Sequence, residues 1–130
     1  MAPNTLGGLT IVVVEDHDDS RRVFSIFLRR LGANVIEAAN AVEGLEAVKT
    51  LRPNLVLSDI TMPGMDGFDL LREIRALGPQ AGGSVPVVAL TALLTQADRA
   101  HILNAGFQAC LAKPFSPNKL TETILAVLNG

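Results

Sequence analysis

Three carboxylates, a hydroxyl and an ammonium stand in this chain at places where chemistry is possible. Glu15 and Asp16 follow at once on the apolar run LTIVVV, residues 9–14. Asp59 closes a second apolar run, residues 54–58, and opens the loop Ile60-Thr61-Met62-Pro63-Gly64-Met65-Asp66-Gly67. Thr91-Ala92 follows a third run at 85–90, and Lys113-Pro114 comes shortly after a fourth at 107–111. Carboxylates gathered on one rim repel one another unless protons or a cation relieve them. Hard oxygen donors with room for water suit Mg²⁺. A carboxylate between a buried strand and a proline-glycine loop is reachable yet rigidly held, as a nucleophile toward phosphorus must be. Thr91 and Lys113 are then suited to binding the oxygens of a transferred group.

The elements that must bring these residues together are legible in the hydrophobic pattern. Continuous apolar, β-branched runs mark strands buried on both faces, and they fall at 9–14, 34–38, 54–58, 85–90 and 107–111. Helical spacing fills the intervals. Val23, Phe24, Phe27, Leu28 and Leu31 form one stripe; Leu45, Val48 and Leu51 a second; Phe68, Leu71, Ile74 and Leu77 a third. Asn40 with Glu43, Asp66 with Asp69, and Thr95 with Asp98 have capping-box spacing, and Ser116-Pro117 opens the last helix. Gly32, Gly78 and Gly106 mark helix ends. Strand and helix alternating five times predict an α/β fold, (βα)5, a doubly wound five-stranded parallel sheet. Ligands of such sheets bind beyond the carboxyl ends of the strands, where Glu15, Asp16, Asp59, Thr91 and Lys113 fall.

Several neighbours have plainer readings. Asp18 and Asp19 read as caps of the first helix. His17, although beside the acidic rim and within reach of metal-bound water, reads rather as a solvated loop residue, His101 as a structural residue of the fourth helix, and Cys110 as a small buried hydrophobe. The stretch 78–84, GPQAGGS, reads as a flexible turn.

The ordered pieces Val12-Val13-Val14-Glu15-Asp16, Ser58-Asp59 with Met62-Pro63-Gly64-Met65-Asp66-Gly67, Leu90-Thr91-Ala92, Asn104-Ala105-Gly106-Phe107 and Lys113-Pro114-Phe115 span nearly the whole chain. Together they resemble the response-regulator receiver domain of two-component signalling. The resemblance implies a flavodoxin-like strand order 2-1-3-4-5 and a receiver domain over residues 9–130, after a lead-in at 1–8. It implies that Asp59 accepts a phosphoryl group from a phosphohistidine of a sensor histidine kinase or histidine phosphotransfer protein. Asp16, Asp59 and the backbone carbonyl of Thr61 would ligate Mg²⁺, with Glu15 acting mainly through water. Lys113 would pair with the carboxylate and then with the phosphoryl group, Thr91 would bond a phosphoryl oxygen, and the Lys113–Pro114 bond would be cis. Such a domain is a phosphoacceptor that assists its own phosphorylation and dephosphorylation, not an enzyme with turnover. The alternative is a receiver-like scaffold that is never phosphorylated.

Two departures from the family pattern bear on output. Cys110 stands where many receivers carry an aromatic residue, and the chain has no Tyr. Thr121, Glu122, Leu125 and Ala126 put one charge on the last helix, which predicts a monomer in isolation. The lead-in Leu6-Gly7-Gly8-Leu9 suits a linker joint, as in the receiver of a hybrid sensor kinase, although a stand-alone regulator has the same domain. Thr61 and Leu93, flanking the rim, carry no amide or acid to hold a water, and this predicts slow loss of the phosphoryl group.

Composition removes other classes. In 130 residues there is room for one core. Apolar residues make up 48% and charged residues 18%, with 13 acids against 11 bases, a net charge of -2; with no basic run, direct nucleic-acid binding is not expected. A single Cys excludes an internal disulfide and a cysteine zinc framework. No apolar stretch approaches a membrane span and no signal segment opens the chain, so a cytoplasmic location without membrane insertion is expected. A phosphatase of the haloacid-dehalogenase type needs a second acid two residues past the first, where Thr61 stands. A dinucleotide module needs a glycine- or hydroxyl-rich loop after the first strand, where Glu15 to Asp19 would repel phosphate.

Overall fold

Successive side chains of a strand point to opposite faces of its sheet, and β1 (Thr10–Val14) uses both. Ile11 and Val13 pack into one apolar layer, while Val12 and Val14 pack into the other. All four are fully buried. At roughly 1.5–3 kcal/mol for each buried Val or Ile side chain, this run alone holds the centre of the sheet firmly.

The computed structural model describes residues 4–92 and 95–130. After β1 come α1 (Asp18–Arg30), β2 (Asn34–Ala38), α2 (Ala41–Leu51), β3 (Leu55–Asp59), α3 (Gly67–Ala76), β4 (Val87–Thr91), α4 (Gln96–Ala105), β5 (Ala109–Ala112) and α5 (Pro117–Asn129). The strands lie in the order β2-β1-β3-β4-β5, and every pair is parallel. This is the doubly wound, flavodoxin-like sheet expected from the alternating pattern and the resemblance. One layer of the core joins Val12, Val56 and Ala89 to Val48 of α2, Leu70 and Ile74 of α3, and Ile102 of α4. The other joins Val13, Leu57 and Val88 to Leu28 of α1 and Leu120 and Ile124 of α5. Leu6, ahead of β1, is fully buried in this second layer, and its amide donates to the Leu31 carbonyl at 2.8 Å.

The strands start and stop slightly away from the apolar runs, for local reasons. β4 begins at Val87 because Pro86 has no N–H to give to a ladder, and the Val85 amide instead turns back to the Gly82 carbonyl at 3.2 Å. β5 begins at Ala109, after Gly106 ends α4 with φ +113. The stretch 78–84 is tied down rather than loose. It contains a short 3-10 turn, Pro79–Ala81, and Arg75 Nη1 donates to the Gly83 and Val85 carbonyls at 2.9 and 2.7 Å.

Caps follow the expected pattern in α3 and α4, where Asp66 with Asp69 and Thr95 with Asp98 form reciprocal capping boxes. In α2 the Asn40 side chain accepts from the Glu43 amide, but the Glu43 carboxylate reaches the Ala39 amide instead of that of Asn40. Ser116 accepts from the Lys119 amide ahead of α5. Asp18 and Asp19 are not caps. His17 occupies the N-cap position without a side-chain bond, which puts both acids in the first turn, where they favour the positive helix end. Asp18 there pairs with Arg21 at 2.7 Å. Among the described residues no helix is long and apolar enough to cross a membrane.

Candidate functional site

Register puts the site at one end of the sheet. Val14 stands opposite Ser58, Asp59 opposite Leu90, and Thr91 opposite Ala112. Backbone bonds extend the ladder past the strand ends: Glu15 N donates to the Ala38 carbonyl at 3.1 Å, Ile60 N to Leu90 at 3.0 Å, and Lys113 N to Thr91 at 2.7 Å. Glu15, Asp59, Thr91 and Lys113 are therefore each held at the last position of their strand or one step beyond, and Asp16 and Thr61 two steps beyond.

Glu15 is wholly buried and Asp59 is 6% exposed. Lys113 Nζ donates to Glu15 Oε1 at 2.5 Å and lies 3.5 Å from Asp59 Oδ2. Burial pushes the Glu15 carboxyl up, but the Lys113 hydrogen bond and charge outweigh it, and the group stays below its ordinary value. Asp59 goes the other way. Burial, then the hydrogen bond and negative charge of Glu15, push it up to about 6, against the opposing pull of Lys113. Asp16 Oδ1 is buried and has no hydrogen-bond partner. A buried carboxylate oxygen without a partner is costly, and a cation beside it would supply what the protein does not.

One carboxylate oxygen each from Glu15, Asp16 and Asp59, together with a ring nitrogen of His17, lie within 4.8 Å of one another. His17, Asp59, Thr61, Thr91, Ala92 and Lys113 line the open cleft above them. Every site residue expected from the sequence is thus on this rim: Glu15, Asp16, Asp59, Thr61, Thr91 and Lys113. The Lys113–Pro114 bond is cis. Leu93 lies outside the described residues.

Three neighbours of the rim also contribute. His17, taken for a solvated loop residue, is exposed, yet its Nδ1 is 3.6 Å from both Glu15 Oε2 and Asp16 Oδ1. Arg21 of α1 donates to the Glu15 carbonyl at 2.8 Å and holds the turn behind it. Gly67 starts α3 against the strand that ends in Asp59. A Cβ there would meet the Asp59 carbonyl oxygen at 2.6 Å and Ile60 Cα at 2.8 Å, so only glycine allows the approach. Adjacency to Glu15-Asp16 was the available signal for His17. Gly67 already stands in the motif that follows Asp59, whereas for Arg21 the signal is tertiary.

A family model described as the response regulator receiver domain matches residues 11–125. The chain belongs to this family. An uncharacterized 14.6 kDa protein of Leptolyngbya boryana is 38% identical to this receiver domain over 120 residues, covering 92% of this chain and 90% of that protein. The sensor histidine kinase RcsC of Salmonella typhi is 34% identical across 89% of this chain, which spans only 12% of that kinase. A probable transcriptional regulator, ycf27, of Porphyridium aerugineum is 37% identical, and the chain spans 47% of it. Among solved structures, the receiver domain of the sensor histidine kinase PA1611 of Pseudomonas aeruginosa superposes with a TM-score of 0.84 at 34% identity, covering 95% of this chain and all of that one. That crystal structure has a magnesium ion coordinated in its active site cleft. The chemotaxis protein CheY4 of Vibrio cholerae superposes equally well, with a TM-score of 0.84, 27% identity and coverage of 92% and 98%.

In this receiver domain Cys110 is buried in the layer facing α4, as expected of a small hydrophobe, and accepts a hydrogen bond from Arg99 Nη1 at 3.4 Å. His101 is exposed on α4 and lies against Phe68 of α3, with ring centroids 4.9 Å apart.

Proposed function

We propose that the chain is a phosphoacceptor in two-component signalling. Asp59 takes a phosphoryl group from a phosphohistidine of a sensor histidine kinase or histidine phosphotransfer protein. The observation that carries this reading is Asp59 itself: a carboxylate at the rigid end of β3, lining an open cleft, with the Lys113 ammonium 3.5 Å away and an unpartnered buried oxygen of Asp16 beside it.

A carboxylate oxygen of Asp59 attacks phosphorus, the bond from phosphorus to the donor imidazole nitrogen breaks, and the imidazole leaves with the bonding pair. An acyl phosphate remains on Asp59. Asp16, Asp59 and the Thr61 carbonyl are the groups that would hold Mg²⁺, with Glu15 acting through water. When bound, the ion supplies positive charge to the carboxylates and the phosphoryl oxygens. Lys113 sits between Glu15 and Asp59, able to follow the negative charge onto the phosphoryl group, while the Thr91 hydroxyl binds one of its oxygens. The likeness to the receiver domain of the sensor histidine kinase PA1611 and to part of the sensor histidine kinase RcsC supports the choice of partner. The domain is modified and reset rather than turning over a substrate, and with Thr61 bearing no amide or acid its phosphoryl group is expected to leave slowly.

The test is incubation with a small phosphodonor and Mg²⁺, followed by intact mass and peptide mapping. One added phosphoryl group on the peptide carrying Asp59, absent without Mg²⁺ and in Asp59→Asn, is the expected result. No uptake, or uptake elsewhere in the unaltered chain, would leave the non-phosphorylated scaffold as the better reading.

A further inference from the structure

We infer that His17 is an additional ligand at the cation site for divalent ions that accept nitrogen donors, and that it tilts the site toward them. This rests on the proposed cation site and deepens it. The inference comes from geometry around an oxygen that lacks a partner. Asp16 Oδ1 is buried and accepts no hydrogen bond, and His17 Nδ1 stands 3.6 Å from it. The same nitrogen is 3.6 Å from Glu15 Oε2. In an octahedral shell with bonds of about 2.1 Å, neighbouring donors are roughly 3.0 Å apart and opposite donors roughly 4.2 Å. The 3.6 Å from His17 Nδ1 to Asp16 Oδ1 lies between these two values, so a small turn of the ring brings the nitrogen to the neighbouring-donor distance.

The ring can also move. Its side chain is 75% exposed, so turning it onto an ion breaks no packing and buries little. Its backbone cannot drift, because His17 is the N-cap of α1 and its amide donates to Glu15 Oε2 at 3.4 Å. Mg²⁺ takes oxygen donors and retains water, whereas Ni²⁺ accepts imidazole readily. A nitrogen at this place therefore strengthens Ni²⁺ binding and leaves Mg²⁺ binding almost untouched.

Calorimetric titration of the protein with Mg²⁺ and, separately, Ni²⁺ tests this in the parent chain, His17→Ala, Asp16→Ala and His101→Ala, with NMR spectra to verify folding. His101, on α4, serves as the control for adventitious Ni²⁺ on a surface imidazole. The expected result is about a tenfold or greater loss of Ni²⁺ affinity in His17→Ala, with Mg²⁺ affinity within about twofold of the parent and His101→Ala unchanged for both ions. Unchanged Ni²⁺ affinity in His17→Ala, or an equal loss for both ions, overturns the inference. A parent chain that takes up neither ion, or an Asp16→Ala variant that binds both as the parent does, overturns the cation site and the proposed function with it.

Discussion

Lys113 Nζ is 2.5 Å from Glu15 Oε1 but 3.5 Å from Asp59 Oδ2. One ammonium faces two buried carboxylates and spends most of its charge on the deeper one. Glu15 is thereby held ionised, and Asp59 is left with a neighbour whose negative charge opposes its own.

Lys113→Met should therefore destabilise the protein by on the order of 2–4 kcal/mol near neutral pH, because it leaves Glu15 buried and uncompensated. The Glu15 carboxyl sits below its ordinary value in the folded state, so its contribution is present above the unfolded value and is lost as pH falls through the folded one. The deficit of Lys113→Met should shrink toward acid pH accordingly. Urea unfolding across pH checks this, and the double variant Glu15→Gln, Lys113→Met should recover most of the loss. A deficit independent of pH would mean that the lysine acts through packing of its stem alone.

Asp59 carries the opposite sign. Its carboxyl is raised to about 6 in the folded chain. Between its ordinary acid range and that value the folded state binds more protons than the unfolded one, so this group's effect on stability falls as pH rises through the window. Without divalent ions, Asp59→Asn should be more stable than the parent by on the order of 1–2 kcal/mol at neutral pH. The gain should vanish near pH 4. Thermal melts in a chelator at the two pH values measure it, and a gain that persists at acid pH would contradict the charge argument.

Gly67→Ala should cost about 1–3 kcal/mol, since its Cβ would collide with the backbone of Asp59 and Ile60 and force α3 away from β3. Gly64→Ala is the comparison. Gly64 has φ +76 but open space around it, so its cost should be only that of the backbone conformation, about 1 kcal/mol. If the two variants melt together, the close approach at Gly67 has no energetic weight.

The strands were legible because residues such as Ile11 to Val14 are apolar on both faces, and only a doubly covered sheet buries both. The rim followed from one rule, that Glu15, Asp16, Asp59, Thr91 and Lys113 each come at the end of such a run. Two things were hidden. The burial of Glu15 is invisible in a sequence, where it looks like the first residue of a solvated acidic loop; it arises because the β1 ladder runs one bond further, to Ala38. The misreading of Asp18 and Asp19 has the same origin. Capping propensity is local, but the helix start was set at His17 by the path the chain takes around Glu15 and Arg21.

The mooring of α4 is light. Of its residues only Ile102 is buried; beyond that, Arg99 reaches Cys110 and His101 lies on Phe68. Yet the helix is well closed on itself, with a capping box at Thr95 and Asp98 and Gly106 at its far end. Withdrawing one isoleucine from the core costs about 1.5–3 kcal/mol, a fraction of the 5–15 kcal/mol that holds a typical domain together. Such a segment should open before the sheet does, so its amides should exchange with solvent through a partial opening that spares β1 and β3. A change worth only a few kcal/mol would then suffice to loosen this helix while the sheet stays closed.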